Sequence, residues 1–361
     1  MTPKHNFCAG PAKLPDVVFQ QASKAVVNYN ESGLSILEIS HRSTAFTAII
    51  EEARALVLEL LGLNTKDYVA LFLHGGASAQ FHQIPFNFLN KRAGYLNTGV
   101  WSQKAIHEAR FFGEIVDLGS SKDQHFSYIP ENIIQNRNDL DYIHYTSNNT
   151  IYGTQIKNFP KQKVPVVVDM SSDIFSRSLD FSQFQLIYAG AQKNLGAAGT
   201  TLVILNRKAF SQANRKIPSL LNYDYLIQKE SLANTPTVFS IYVSLLNLRW
   251  LKAQGGIKSV EKRNEIKSNL LYNYLDESNL FIPLVRKDSR SKMNITFALN
   301  KPDLTSVFDR FLEQHKMIGL KGHRSVGDYR ASLYNALELD SVKALVSCLQ
   351  QFEENYENIK Y

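Results

Sequence analysis

Cysteine is almost absent: Cys8 and Cys348 are the only two in 361 residues. They lie far apart and in no Cys-x-x-Cys or metal-ligand spacing. That excludes a disulfide framework and a thiolate zinc site, and leaves two reduced, structural thiols as the expectation. Long apolar runs are missing too, and nothing approaches the roughly 18 residues that a membrane-spanning helix needs. The opening Met1-Thr-Pro-Lys-His-Asn-Phe-Cys-Ala-Gly10 has no apolar signal core, so a cytoplasmic location without membrane attachment is expected. Acidic residues are outnumbered by basic ones, giving a net charge of +7. The basic residues are scattered, with no basic helix and no aromatic-basic RNA motif. Nucleic acid is therefore not the expected partner, and mild attraction for anionic metabolites accounts for the balance.

What is present is an ordinary globular composition, 44% hydrophobic and 20% charged, in a chain long enough for two domains. Phe46, Ile49, Ile50, Ala53, Val57, Leu60 and Leu61 recur at helical spacing, and Gly62 closes that helix. Tyr68 to Leu73 reads as a buried strand, followed by Gly75-Gly76 and a helix from Ser78. Further strands are expected at 94–98, 114–118, 141–145, 164–168, 186–189 and 200–205, with helical patterns in many of the gaps, notably after Trp101. This alternation predicts an α/β domain with a largely parallel sheet. Gly255-Gly256 marks the boundary. Beyond it, helices at 260–276, 304–315 and from 341, with strands at 293–299 and 330–334, predict a smaller α+β domain. The expected division is a large domain of residues 16–255 and a small one of 1–15 with 256–361.

Two strand ends carry the chemistry. Val164-Pro-Val-Val-Val-Asp169 is an apolar β-branched run that stops at a carboxylate, and Leu186-Ile-Tyr-Ala-Gly-Ala-Gln-Lys193 is a short strand opening a loop that holds a lysine. In an open parallel sheet, ligands sit outside the carboxyl ends of the strands, so both groups are expected at one crevice. A buried acid and a lysine there suit pyridoxal phosphate, the lysine as Schiff-base partner and the acid as partner of the pyridinium nitrogen. The pair alone reads equally well as a surface lysine and a helix-capping aspartate. Leu73-His-Gly-Gly-Ala77-Ser78-Ala-Gln80 is a glycine-rich strand-to-helix turn whose free N–H groups suit a phosphate, yet it matches neither the dinucleotide nor the ATP fingerprint. Trp101 opens a helix at another strand end, where it either stacks on a cofactor or packs in the core. The polar loop at Thr146 to Gly153 delivers a hydroxyl or merely turns.

Asp169-Met-Ser-Ser and Tyr188-Ala-Gly-Ala-Gln-Lys193-Asn-Leu-Gly together resemble the cofactor core of the phosphoserine aminotransferase family, class V aminotransferases of fold type I. The resemblance continues through Ser40-His41-Arg42-Ser43, Asn234-Thr235-Pro236 and Lys321-Gly-His323-Arg324-Ser-Val-Gly327 with Arg330-Ala-Ser, and spans essentially the whole chain. It implies a pyridoxal 5'-phosphate-dependent transferase with a large, mostly parallel-sheet domain and a smaller α+β C-terminal domain. It implies Lys193 as the Schiff-base lysine and general base, Asp169 as the pyridinium partner, Trp101 stacked on the ring and Thr150 as a side-chain contact to it. Ala77, Ser78 and Gln192 are implied to hold the cofactor phosphate of their own subunit, and Asn234 and Thr235 that of the neighbour, in a homodimer. Arg330 is assigned the substrate α-carboxylate; His41, Arg42, His323 and Arg324 are assigned the distal phosphate or carboxylate. The planar Arg fork suits both anions.

The implied reaction is ping-pong: 3-phosphohydroxypyruvate and L-glutamate give O-phospho-L-serine and 2-oxoglutarate, as in serine biosynthesis, with 4-phosphohydroxy-L-threonine of pyridoxine biosynthesis as a second substrate. No metal is expected. Three positions depart from the family pattern: Ser78 where some members carry Arg, Ala9 where some carry Ser, and Asp328 where a second Gly is usual. Two other readings stay open, another pyridoxal phosphate activity such as a desulfurase or β-lyase, and a non-catalytic anion- or nucleic-acid-binding protein.

Overall fold

The computed structural model describes residues 4–131, 133, 137–324 and 326–356. Ser325, within the Gly-His-Arg block, lies outside them. Strand β1 (His5–Asn6) leads through α1 (Asp16–Val27) to α2 (Thr44–Leu61). Ser43 caps α2 by accepting from the Phe46 amide, and Gly62 ends it in the left-handed region at φ 65°. The chain then alternates: β2 (Tyr68–His74), α3 (Gly76–Phe88), β3 (Arg92–Asn97), α4 (Val100–Ala109), β4 (Glu114–Ser120). Four strands follow, β5 (Ile143–Thr146), β6 (Val166–Asp169), β7 (Leu186–Gly190) and β8 (Thr200–Asn206). After α5 (Tyr223–Gln228), α6 (Val238–Ala253) and α7 (Gly256–Glu277) come β9 (Phe281–Pro283) and β10 (Asn294–Leu299). The described chain closes with α8 (Thr305–Gln314), β11 (Met317–Ile318), β12 (Tyr329–Ser332) and α9 (Leu339–Tyr356).

The large sheet has seven strands in the order β2-β8-β7-β6-β5-β3-β4. Only β8 runs against the others, pairing antiparallel with both β2 and β7. Because successive strand residues face opposite sides, each strand feeds two cores. Val168 packs toward α2 and α6 with Phe46, Leu245 and Leu248, and Val167 packs toward α3 and α4 with Phe81, Tyr95 and Tyr188. A third core gathers Phe7, Leu271, Phe281, Phe297, Phe308 and Phe352 around the antiparallel sheet β12-β10-β9. Helix α7 serves two cores: Ile257 and Val260 pack with the first, Leu271, Tyr272 and Leu275 with the third. It starts at Gly256 rather than near residue 260, because Gly255 and Gly256, at φ 86° and 69°, make the turn between them.

Candidate active site

Strands β5, β6 and β7 run parallel, and their register sets Asp169 beside Thr146 on one side and Tyr188 on the other. Asp169 is 6% exposed. Its Oδ1 accepts from the Ser171 amide at 2.9 Å and the Ser171 hydroxyl at 2.6 Å. Burial pushes the carboxyl above its ordinary range, while the Ser171 hydrogen bonds and the nearby Lys193 pull it back. Lys193 lies three residues beyond the end of β7. Its Nζ donates to Thr150 Oγ1 at 2.6 Å and stands 5.8 Å from the centroid of the Trp101 ring. Burial brings this amine down to about 8; Asp169 opposes the change and Arg330 adds to it. The strand ends thus join the acid, the amine, the hydroxyl and the indole in one place.

Arg330, on β12, is 8% exposed and donates through one terminal nitrogen to the Thr150 carbonyl at 3.3 Å. Its Nε is buried with no partner among the described residues. Burial depresses this guanidinium, with Tyr334 and Cys8 opposing. His323 is half-buried and also depressed, first by burial, then by Arg330, Arg324 and Lys104. These cations therefore share one electrostatic neighbourhood, with Arg324 at its exposed side. The loop bearing them is pinched at its base, where the Gly322 amide donates to the Asp328 carbonyl at 2.8 Å and the Gly327 amide to the His323 carbonyl at 2.9 Å. Asp328 is exposed at φ 53°. A cavity of about 700 Å³ opens beside Arg330, lined also by Tyr152, Gly327, Asp328, Lys122 and His125.

At the start of α3, Gly75 takes the left-handed conformation at φ 92°, and no side chain caps the helix. Its first N–H groups are therefore open to an anion. Ala77 there is half-buried and Ser78 exposed. Gln192 folds back over Gly190, where an added Cβ would meet its Oε1 at 2.8 Å. A Cβ at Gly10 would stand 3.3 Å from Lys193 Cγ, so the N-terminal segment presses on the lysine stem. The Ala9 carbonyl accepts from the Tyr334 hydroxyl at 2.8 Å.

Half-buried His41 and exposed Arg42, Asn234 and Thr235 have no hydrogen bond or ion pair to Lys193, Asp169 or Arg330 among the described residues. Conversely, Ser171, Lys104 and Gly10 carry site contacts for which the sequence reading named no role. Lys104 sits 4.9 Å from the Trp101 ring centroid. Ser171 was discoverable, since a strand-ending Asp followed two residues later by Ser is an Asx-turn pattern; the other two contacts exist only in three dimensions.

Comparison with known proteins agrees with this geometry. The family model for class-V aminotransferases matches residues 5–345. A phosphoserine aminotransferase of Flavobacterium johnsoniae is 55% identical over 352 residues, covering 97% of this chain and 99% of its own. The crystal structure of phosphoserine aminotransferase from Bacillus circulans subsp. alkalophilus superposes with a TM-score of 0.95 at 43% identity, over 98% of this chain and 99% of that one. A pyridoxal phosphate-bound phosphoserine aminotransferase from Trichomonas vaginalis gives a TM-score of 0.91 at 31% identity, over 96% of this chain and 100% of that one. The chain belongs to the class-V aminotransferase family, and within it to the phosphoserine aminotransferases of fold type I.

Proposed function

We propose that the chain transfers the amino group of L-glutamate to 3-phosphohydroxypyruvate, giving O-phospho-L-serine and 2-oxoglutarate. The observation that carries this reading is the buried Arg330, with an unpartnered Nε, held within the field of the Lys193 amine. An amino acid carries its α-proton and its carboxylate on one carbon, and this pair offers a base for the first and a fork for the second.

Pyridoxal 5'-phosphate is the cofactor of this family, and the residues present fit it. The uncapped N-terminus of α3 is an open anion cradle, Trp101 has a buried Nε1 without partner among the described residues, and Gly10 keeps the approach to Lys193 narrow. When bound, the cofactor supplies an electron sink for the bond broken at the substrate α-carbon. With the cofactor bound, Asp169 would hold a proton on its ring nitrogen, and Trp101 and Thr150 would supply a stacking face and a polar contact to its ring. The N–H groups at Ala77 and Ser78, with Gln192, hold the phosphate; Ser78 brings no charge, so dipoles do this work. Lys193 takes the α-proton and returns it, and Thr150 fixes its amine meanwhile. Arg330 clamps the α-carboxylate, while His323 and Arg324 with His41 and Arg42 receive the distal phosphate or carboxylate.

Within this reading the active unit is a homodimer, with Asn234 and Thr235 completing the neighbouring site. The exposed apolar side chains Val17, Phe19, Val26, Val27, Leu34 and Leu37, which precede His41-Arg42, support a covered face there. The domain division at Gly255-Gly256 is part of the same proposal, supported by Phe7 packing in the C-terminal core and β1 pairing with β11. So are a role in serine and pyridoxine synthesis, with 4-phosphohydroxy-L-threonine as second substrate, and a cytoplasmic location; among the described residues no helix is long and apolar enough to cross a membrane. The test is the visible spectrum of protein saturated with pyridoxal phosphate, before and after L-phosphoserine. Loss of the yellow band, restored by 2-oxoglutarate, is expected. A yellow band unmoved by phosphoserine overturns the substrate, and a colourless protein overturns the enzyme reading.

A further inference from the structure

Asn335 follows Arg330 by five residues and is 8% exposed. It uses three polar atoms, on the Lys193 loop, on the turn after Asp169 and on helix α7. Its amide donates to Asn194 Oδ1 at 3.0 Å, and Asn194 is the residue next to Lys193. Its Nδ2 donates to the Phe175 carbonyl at 3.1 Å, in the turn that leaves Asp169, where Phe175 is held at φ 58°. Its Oδ1 accepts from Asn264 Nδ2 at 2.8 Å, and the same Nδ2 donates to the Ser176 carbonyl at 3.0 Å. Asn194 in turn donates to the Ser172 carbonyl at 3.3 Å, and Asn247 Nδ2 donates to the Asn194 carbonyl at 2.8 Å.

The segment carrying Asn335 is itself anchored. Lys267 Nζ, 2% exposed, donates to the carbonyls of Leu333, Tyr334 and Leu337 at 3.0, 2.7 and 3.0 Å. No substrate-facing role falls to any of these groups. We infer that Asn335 is a positioning residue that ties the Lys193 loop, the turn after Asp169 and the strand of Arg330 to one another, so that base, acid and clamp are spaced before substrate arrives. In a buried setting such a network holds geometry because each unmade bond leaves a costly unpaired group. Misplacement by about 1 Å is enough to cost a site about a hundredfold in rate.

The inference rests on the proposed roles of Lys193, Asp169 and Arg330, and its test separates it from them. Asn335→Ala is compared with wild type and with Cys348→Ala, a cavity variant in the C-terminal core remote from this network. Three quantities are read on holoenzyme: melting temperature, the pH midpoint of the visible cofactor band, and kcat and KM for glutamate separately. The expected result is a displaced midpoint and a kcat lowered about tenfold or more, with neither seen in Cys348→Ala at a comparable loss of melting temperature. An Asn335→Ala protein that melts lower but keeps the wild-type midpoint and kcat overturns the inference, because a purely structural asparagine would do just that. If Asn335→Ala does not fold, Asn264→Ala removes one arm only and is expected to shift the midpoint in the same direction by less; an unmoved midpoint there overturns it too. A wild type without the visible band takes the functional reading and this inference down together.

Discussion

Lys193 stands between opposing influences, and their balance sets where it works. Burial and Arg330 favour the neutral amine, Asp169 the ammonium, and the result is about 8. A base must be unprotonated, so the rate of proton removal rises as pH climbs through about 8 and levels off above it. Arg330→Ala takes away one cation, so that limb moves to higher pH, which a pH profile of kcat reads, because the amine is free only once substrate has displaced it from the cofactor. The same variant loses a charged clamp and raises KM for glutamate and phosphoserine alike, by about tenfold or more; an effect on phosphoserine only exchanges the two anion assignments. Lys193→Ala abolishes transamination and leaves the circular dichroism spectrum and melting temperature near wild type; undiminished turnover excludes it as the base. At this scale the sequence was informative where function and local pattern coincide. Asp169 ends one apolar strand and Lys193 follows the end of another by three residues, which any reading of the chain can see. Asn335, Asn264 and Lys104 carry no local signal, because their meaning comes from partners on other elements.

The elements were legible in proportion to their length and to how many of their faces are buried. β2, β6, β7 and β8 are apolar on both faces and read as continuous runs. α1 did not: Val18, Ala22 and Ala25 are buried while Val17, Phe19, Val26 and Val27 are exposed, which blurs the period. β1 and β11, two residues each, exist only by pairing with one another, and β9 ends in proline. The pinched loop at 322–328 makes a sharper prediction. A Cβ at Gly322 would stand 1.8 Å from the Gly327 carbonyl oxygen, so Gly322→Ala cannot keep this closure. The expected outcome is weakened binding of phosphoserine, with the cofactor spectrum unchanged because α3 and Lys193 lie elsewhere; titration of the spectrum with phosphoserine reads both. A retained phosphoserine affinity separates that loop from the distal clamp.

For the whole molecule the shared site has a direct genetic test. Mixing Lys193→Ala subunits with subunits carrying Asn234→Ala and Thr235→Ala gives hybrid dimers with one intact site and one doubly damaged site, if the neighbour supplies those two residues. Activity is then restored on mixing two inactive proteins; continued inactivity of verified hybrids places Asn234 and Thr235 in their own subunit's site. Stability has a pH signature as well. Burial lowers Lys267 and Lys157 to about 7, whereas the unfolded chain holds those protons to about 10.5. Between these values the unfolded state binds more protons, so stability rises with pH across that window. A melting temperature that increases from pH 7 to pH 9, with a smaller slope in Lys157→Met, checks the sign.

The reversal of β8 reaches back to how the molecule is made. β2 touches the sheet only through β8, which lies far along the chain: Tyr68 pairs with Asn206, 138 residues later, and His74 with Thr200, 126 residues later. A ribosome that has delivered residues 68–88 has therefore made the anion-holding turn but has nothing to hang it on. Newly made chain must keep an apolar edge unpaired until residues 200–206 emerge, and the phosphate cradle and the lysine loop become ordered in the same closing event.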